Sequence, residues 1–201
     1  MATEKLSPQE SIQLISQVLE EAKTRFKENG FIYVFWGLFI SLIALSQFLL
    51  LYNELYEINW YPYLAVPLGM VFTMIYYRRK AKNRTTNQIS TIIGTTWIIL
   101  ATNKMILGFF FAPILGENLS PVILILLAVG ILVSGIALKS KILVISSILI
   151  NIAGIVCFTV NWLYQPLVVS AASFIAVMLP GVYLFVQSKN RNRPTGSFRN
   201  A

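Results

Sequence analysis

The chain has 201 residues, of which 56% are apolar and only 12% are charged, and its formal net charge is +8. Charged residues form about a quarter of an ordinary soluble domain, so this composition is typical of a membrane protein. There is no His, every acidic residue is Glu, and Cys157 is the single cysteine. These counts exclude His-containing triads, paired aspartates, multi-cysteine metal sites and an intrachain disulfide. We therefore expect no enzyme activity, no metal and no cofactor.

The first 30 residues are predicted to form a cytoplasmic amphipathic leader helix. Ser7-Pro8-Gln9-Glu10 is a capping box with Pro at the first helical position, and Asn29-Gly30 ends the helix. Its apolar side chains recur at steps of three and four, and the candidate docking face comprises Ile12, Ile15, Leu19 and Phe26. This face has two interpretations. It lies on the inner leaflet, or it docks a cytoplasmic protein partner or a second copy of the chain.

Residues 31–188 contain six apolar runs, each near the roughly 20 residues that a helix needs to cross a bilayer. The predicted spans are 31–52, 60–77, 89–111, 119–138, 142–162 and 166–187. Lipid forces a spanning backbone to bond internally, so the fold class is all-α, a polytopic protein of three helical hairpins. Each hairpin returns near a proline, which allows a threefold duplication or only the usual tolerance of proline in a first helical turn. Residues 189–201 are predicted to be a disordered basic tail.

The basic residues predict how the chain is threaded through the membrane. Apart from Lys104, every Lys and Arg lies in one of four segments: 5–27, 78–84, 139–141 and 189–199. The opposite connections contain no basic residue; they are 53–59, 112–118 and 163–165. Since short cytoplasmic loops collect Lys and Arg, we expect both termini to lie in the cytoplasm. The basic loops are too short for a nucleic-acid interface, and we expect them to contact membrane lipids.

Polar residues inside the spans are the candidate functional groups. Asn103, Lys104 and Asn151 form a candidate polar membrane site. Lys104 either extends outward toward Glu117 and the headgroups, or lines a cavity that binds an anion. Asn151 acts as a hydrogen-bonding contact between helices or touches a substrate.

Packing residues inside the spans are also identifiable. The pairs Gly37 with Ser41 and Gly130 with Ser134 have the four-residue spacing that allows close helix approach. For Trp36 and Trp97 we expect packing roles. Pro180-Gly181 either kinks the sixth span or is absorbed by packing.

The amino-terminal region resembles a family of uncharacterised small bacterial inner-membrane proteins of similar length. The residues that carry the resemblance are Glu10-Ser11-Ile12-Gln13-Leu14-Ile15, Ala22-Lys23, Phe26, Asn29-Gly30-Phe31 and Phe35-Trp36-Gly37. In that family an amphipathic leader enters a first span that contains Trp-Gly. The resemblance implies a six-span fold and supplies no catalytic residue.

These features favour a non-enzymatic accessory, scaffold or signalling protein that docks lipid or a partner through its cytoplasmic side. The alternative is a small transporter or substrate-binding subunit built around Asn103, Lys104 and Asn151. A cavity that encloses Lys104 would favour the alternative.

Overall fold

The structure is a computed structural model that describes residues 30–81 and 88–191, together with positions 7, 9, 12, 13 and 16. The described chain is all-helical, which confirms the predicted all-α class, while the arrangement of six spans in three hairpins stays a prediction. Its main helices are α1 (Gly30–Tyr52), α2 (Val66–Ala81), α3 (Gln88–Phe110), α4 (Leu119–Ala137), α5 (Lys141–Cys157), α6 (Gln165–Ser173) and α7 (Leu179–Arg191).

Five helical segments are long and apolar enough to cross a membrane. They are Gly30–Tyr52, Tyr56–Arg79, Thr91–Phe110, Ala112–Ala137 and Trp162–Gln187. The chain is thus a multi-pass helical membrane protein. The remaining apolar helix, α5, has 17 residues and is shorter than the others.

Short helical segments precede or follow several of the main helices. Tyr61–Ala65 forms a 3-10 helix ahead of α2, with Pro62 in its first turn, and a single α-helical turn covers Ala112–Leu115. The fifth predicted span continues to residue 162, whereas α5 ends at Cys157. The Gln165 amide donates to the carbonyl oxygens of Cys157 and Val160, at 3.2 and 3.4 Å, and so satisfies acceptors at the end of α5.

The helices are packed unequally. α1 lies along α6 and α7, while α4 and α5 form an antiparallel pair with a short turn between them. α3 packs against α4, and α2 contacts α1 less extensively than α6 and α7 do. Within an apolar stretch of 18 residues in each span, 39% and 44% of the residues are buried in the spans that contain α4 and α6–α7, against 6% and 11% in those of α2 and α3. The bundle therefore has a packed body and two peripheral helices.

Glycines bring α1 into backbone contact with α7 and the turn before it. A Cβ on Gly30 would lie 2.6 Å from the backbone nitrogen of Phe185, and one on Gly181 would lie 2.7 Å from Cβ of Tyr33. Gly37 abuts the backbone of Met178. This contact confirms that Gly37 permits close approach, as its spacing from Ser41 predicts.

Ser41 completes the same interface. Its hydroxyl lies 3.0 Å from the Ser170 hydroxyl, and Ser170 Oγ also lies 2.9 Å from the Ser41 carbonyl oxygen, to which it donates. Both side chains are buried. Hydrogen bonds of this kind between neighbouring helices stabilise a bundle in lipid, where apolar contact alone supplies little driving force.

The last span changes its helical form before Pro180. Residues Phe174–Met178 form a π-helical turn between α6 and α7. Proline lacks the N–H that would bond to the carbonyl four residues earlier, so a wider turn at this point accommodates it. The sequence signal at Pro180-Gly181 thus corresponds to a change of helical form next to the proline.

Several sequence-based predictions concern residues outside the described part of the chain. These are Ile15, Leu19 and Phe26 of the docking face, Lys82 and Arg84, and residues 192–201 of the predicted tail 189–201. Residues 189–191 form the end of α7. Gln9, Ile12, Gln13 and Ser16 are described, and all four are helical and exposed.

Candidate functional site: polar groups within the spans

Lys104 is partly buried on α3, and its ammonium lies over an aromatic ring. Nζ is 5.6 Å from the centroid of the Trp97 ring, two helical turns earlier. Such a contact is attractive because the ring face carries partial negative charge. In the described part of the chain no carboxylate forms an ion pair with Lys104.

The direction of this side chain differs from the expected outward extension toward Glu117. The Lys104 side chain extends toward the N-terminal end of α3, in the direction of Trp97. The Cα–Cβ bonds of a helix tilt toward its N-terminus, so a long side chain naturally covers the preceding turns. This geometry gives the ammonium an aromatic neighbour within its own helix.

Asn103 faces away from the body of the bundle. It is exposed within the membrane-spanning segment Thr91–Phe110, and its amide makes no hydrogen bond to the described chain. Small or hydroxyl-bearing residues share the exposed surface of α3; they are Gly94, Thr95 and Thr102. A Cβ added at Gly94 would meet no atom within 4 Å. We call Thr95, Ile99, Thr102 and Asn103, which lie on one side of the helix, the α3 face.

Asn151 lies apart from Asn103 and Lys104. It is half-buried on α5, which packs on α4, and α3 and α5 share no substantial interface. Its amide has no hydrogen-bond partner in the described chain, so the predicted contact between helices is not made within this part of the molecule. As a functional unit, the three-residue polar site stays a prediction.

Trp36 and Trp97 each join the two helices of a hairpin. The Trp36 indole N–H donates to the Thr73 hydroxyl at 3.0 Å, and Thr73 donates to the Gly69 carbonyl at 2.9 Å. A Cβ on Gly69 would lie 3.1 Å from the Trp36 ring. The glycine thus leaves room for the indole against α2.

The second hairpin repeats this arrangement. The Trp97 indole N–H donates to Ser134 Oγ at 3.0 Å, and Ser134 donates to the Gly130 carbonyl at 2.8 Å. A Cβ on Gly130 would lie 3.4 Å from the Trp97 ring. In both hairpins the two hydrogen-bonded residues are separated by 37 positions. Gly130 thus makes room for side chains of α3, and close approach of the two backbones at this pair stays a prediction.

We call each arrangement a tryptophan lock. The signal that finds it in the sequence is a Trp in one helix and Gly-x-x-x-Ser/Thr in the next, at the same separation in both hairpins. Sequence analysis assigned packing to Trp36 and Trp97 but missed their partners. The third hairpin has no Trp in α5, so the lock is shared by two hairpins and the proposed threefold duplication stays a prediction.

The polar groups described above can take part in binding. An ammonium, carboxamides and hydroxyls donate and accept hydrogen bonds. Within the described residues, no cluster of three His, Cys, Asp or Glu side chains is placed to hold a metal ion. The predicted docking face contributes Ile12, which is 64% exposed.

Comparison with known proteins adds no relative to this description. No family model, curated protein or solved structure matches the chain. The resemblance to a family of small inner-membrane proteins therefore stays a prediction.

Proposed function

We propose that this chain is a non-enzymatic accessory or scaffold protein of the bacterial inner membrane. It crosses the membrane six times with both termini in the cytoplasm, and its basic cytoplasmic side contacts anionic lipid or a protein partner. The exposed positions of Arg78, Arg79, Lys139 and Lys141 at helix ends support this orientation. In a Cys157-free variant, a cysteine at position 55 or 117 is expected to react with an impermeant reagent outside intact cells. A cysteine at position 83 is expected to stay protected, and the reverse pattern would contradict the orientation.

The observation that carries the scaffold role is the exposed Asn103 amide on the α3 face. A carboxamide that meets only hydrocarbon loses the hydrogen bonds it makes in water, which costs free energy. Hydroxyl-bearing side chains such as Thr95 and Thr102 are also common in helix contacts in membranes. This combination favours coverage of the α3 face by another transmembrane helix.

The occupant that we propose is α3 of a second copy. A two-fold axis along the membrane normal places equivalent residues at the same depth, so Asn103 meets Asn103 of the partner subunit. A carboxamide has both donors and an acceptor, and it is therefore complementary to itself. The lysine beside it faces Trp97 of its own helix, which keeps the two ammonium groups apart from this contact.

Photo-crosslinking in intact membranes tests this association. A benzophenone amino acid replaces Ile99, which is 55% exposed on the α3 face, or Ile152, which is 51% exposed on α5 and serves as the matched control. We expect a product with the mass of two chains from position 99 and none from position 152. Asn103→Leu should remove the product, and Asn103→Gln should retain it.

Two results would overturn the proposal. Equal dimer formation from both positions would show random contact, and a product unaffected by Asn103→Leu would remove the role of the amide. A product of another mass, lost in Asn103→Leu, would assign the α3 face to a different protein and exclude the second copy.

Lys104 supports a second candidate, a small transporter or substrate-binding subunit. The residue is half-buried and its ammonium lacks a carboxylate partner in the described chain, which suits an anionic ligand. The exposure of Asn103 favours the scaffold, because an enclosed site would require that amide inside the bundle. Lys104→Met removes an insertion cost of about 3 kcal/mol at most. Unchanged or higher thermal stability with intact function supports the scaffold, whereas normal expression with loss of a transported or bound anion supports the transporter.

A further inference from the structure

One face of α2 forms a groove that runs from the membrane border into the apolar region. Its lining residues are Phe72, Ile75, Tyr76 and Arg79, and its volume is about 370 Å³. The spacing of these positions, three or four residues apart, places them on a single face of the helix. Arg79 is the last residue of the membrane-spanning segment, and Phe72 lies about 10 Å deeper along the helix axis.

Aromatic residues of α1 support the wall of this groove. The Phe72 ring lies 4.7 Å from that of Phe35, and the Tyr76 ring lies 5.6 Å from that of Phe31, measured between centroids. These contacts fix two of the lining side chains against a helix that is itself held by glycine contacts to α7. The contacts with α1 therefore hold the wall of the groove in place, although the rest of α2 is loosely packed.

The charge at the mouth of the groove is positive. Arg79 is exposed and forms no ion pair with a carboxylate of the described chain, and the exposed Arg78 is its neighbour. Guanidinium groups bind phosphate oxygens with paired hydrogen bonds. The sequence adds Lys80, Lys82 and Arg84 to the same basic segment. This field favours a ligand whose net charge is negative.

We infer that this groove binds one anionic phospholipid, with its phosphate at Arg79 and an acyl chain along Ile75 and Phe72. A bilayer lipid has its phosphate at the membrane border and its chain directed inward, which is the order in which the groove presents arginine and apolar side chains. This inference rests on the proposed contact of the basic side with anionic lipid and on the membrane position of α2, and it is independent of the α3 face.

Quantitative native mass spectrometry of the full-length protein in mild detergent tests the inference. The protein is titrated with phosphatidylglycerol, with phosphatidylcholine of the same chains, and with phosphatidylglycerol in the presence of inorganic phosphate. The variants are Arg79→Gln, Arg78→Gln and Ile75→Trp. Arg78→Gln is the matched control, since it removes the same charge one position away from the groove face.

We expect Arg79→Gln to bind phosphatidylglycerol about fivefold more weakly than the wild type, from the attraction of one basic residue for an anionic surface. The decrease in the logarithm of the affinity in Arg78→Gln should be less than half of the decrease in Arg79→Gln. Ile75→Trp should reduce binding by filling the groove, and an unchanged melting temperature establishes that it folds. Where it does not fold, the comparison of the two arginine variants decides.

Three outcomes would overturn the inference. Equal losses in the two arginine variants would show a diffuse charge effect. Equal binding of phosphatidylcholine and phosphatidylglycerol would remove the role of headgroup charge. Displacement by millimolar inorganic phosphate would assign Arg79 to free phosphate and leave the apolar groove without a role.

Discussion

The two hairpins that contain a tryptophan lock have the same internal geometry but different surroundings. In the first, Trp36 joins α1 to the peripheral helix α2, and aromatic side chains of α1 pack around the joint. In the second, Trp97 joins α3 to α4, and it also meets Lys104 and, edge-on at 6.5 Å, Tyr33 of α1. The second lock thus connects three helices, whereas the first connects two.

The same arrangement is therefore expected to stabilise one helix in the first hairpin and the whole protein in the second. The Trp36 lock holds a helix that the rest of the bundle scarcely touches, so we expect its loss to release α2 and leave the body intact. The Trp97 lock lies where α1, α3 and α4 meet, and its loss should lower the stability of the whole protein. The following substitutions test that distinction.

The largest effect is expected at Gly37, which anchors the first hairpin to the body. In Gly37→Leu the new side chain meets the backbone of Met178, which cannot move without separating α1 from α7. We expect a loss of about 3 kcal/mol or more. Gly94→Leu is the control, because a Cβ there meets no atom within 4 Å. The measurement is thermal unfolding in detergent, and equal melting temperatures for the two variants would contradict the assignment of α1 to the body.

The next comparison sets Gly130→Leu against Gly69→Leu. Both additions collide with side chains, at 2.8 Å from Leu100 and 2.8 Å from Phe39 respectively. We expect Gly130→Leu to lower the free energy of unfolding by about 1–3 kcal/mol. Gly69→Leu should lower the free energy of unfolding less. It should instead increase the labelling of a cysteine introduced into α2, or the proteolysis of α2. A larger melting shift in Gly69→Leu would reverse the ranking of the two locks.

The smallest effects are expected when one hydroxyl is removed from each lock. Ser134→Ala and Thr73→Val each remove the acceptor of an indole N–H. Hydrogen bonds between membrane helices contribute about 0.6 kcal/mol on average. Ser134 is buried, so its loss should approach about 1–2 kcal/mol, while Thr73→Val should stay near the average. Unfolding in graded denaturing detergent measures both, and a larger loss in Thr73→Val would show that partial burial does not weaken that contact.

Much of the fold follows from the sequence because hydrocarbon leaves the backbone few choices. The apolar runs predict the helices, and the spacing of Gly37 and Ser41 predicts their close contact. α5 ends at Cys157, before the predicted border at residue 162, and the Gln165 side chain donates to the Cys157 carbonyl in a contact that hydropathy does not register.

The candidate site was less predictable, for two physical reasons. Hydropathy does not distinguish a helix face covered by protein from one covered by lipid. The sequence therefore did not indicate that Asn103 is exposed or that α2 packs loosely. Side-chain direction was the second reason. From the position of Lys104 along α3, its side chain was expected to extend toward the nearer membrane surface. The tilt of helical side chains instead places its ammonium near Trp97.

The short helix α5 has a consequence for the bilayer beside it. Its 17 residues extend about 25 Å, less than the hydrocarbon thickness of about 30 Å. The exposed isoleucines along it are Ile145, Ile148, Ile152 and Ile155. If α5 crosses the membrane, as the proposed six-span topology requires, lipids next to these side chains must shorten, or the helix must draw its polar flanks inward, and either distortion costs free energy with each ångström of mismatch. In that topology membrane thickness acts on the protein through α5, and shorter acyl chains should favour its folded state.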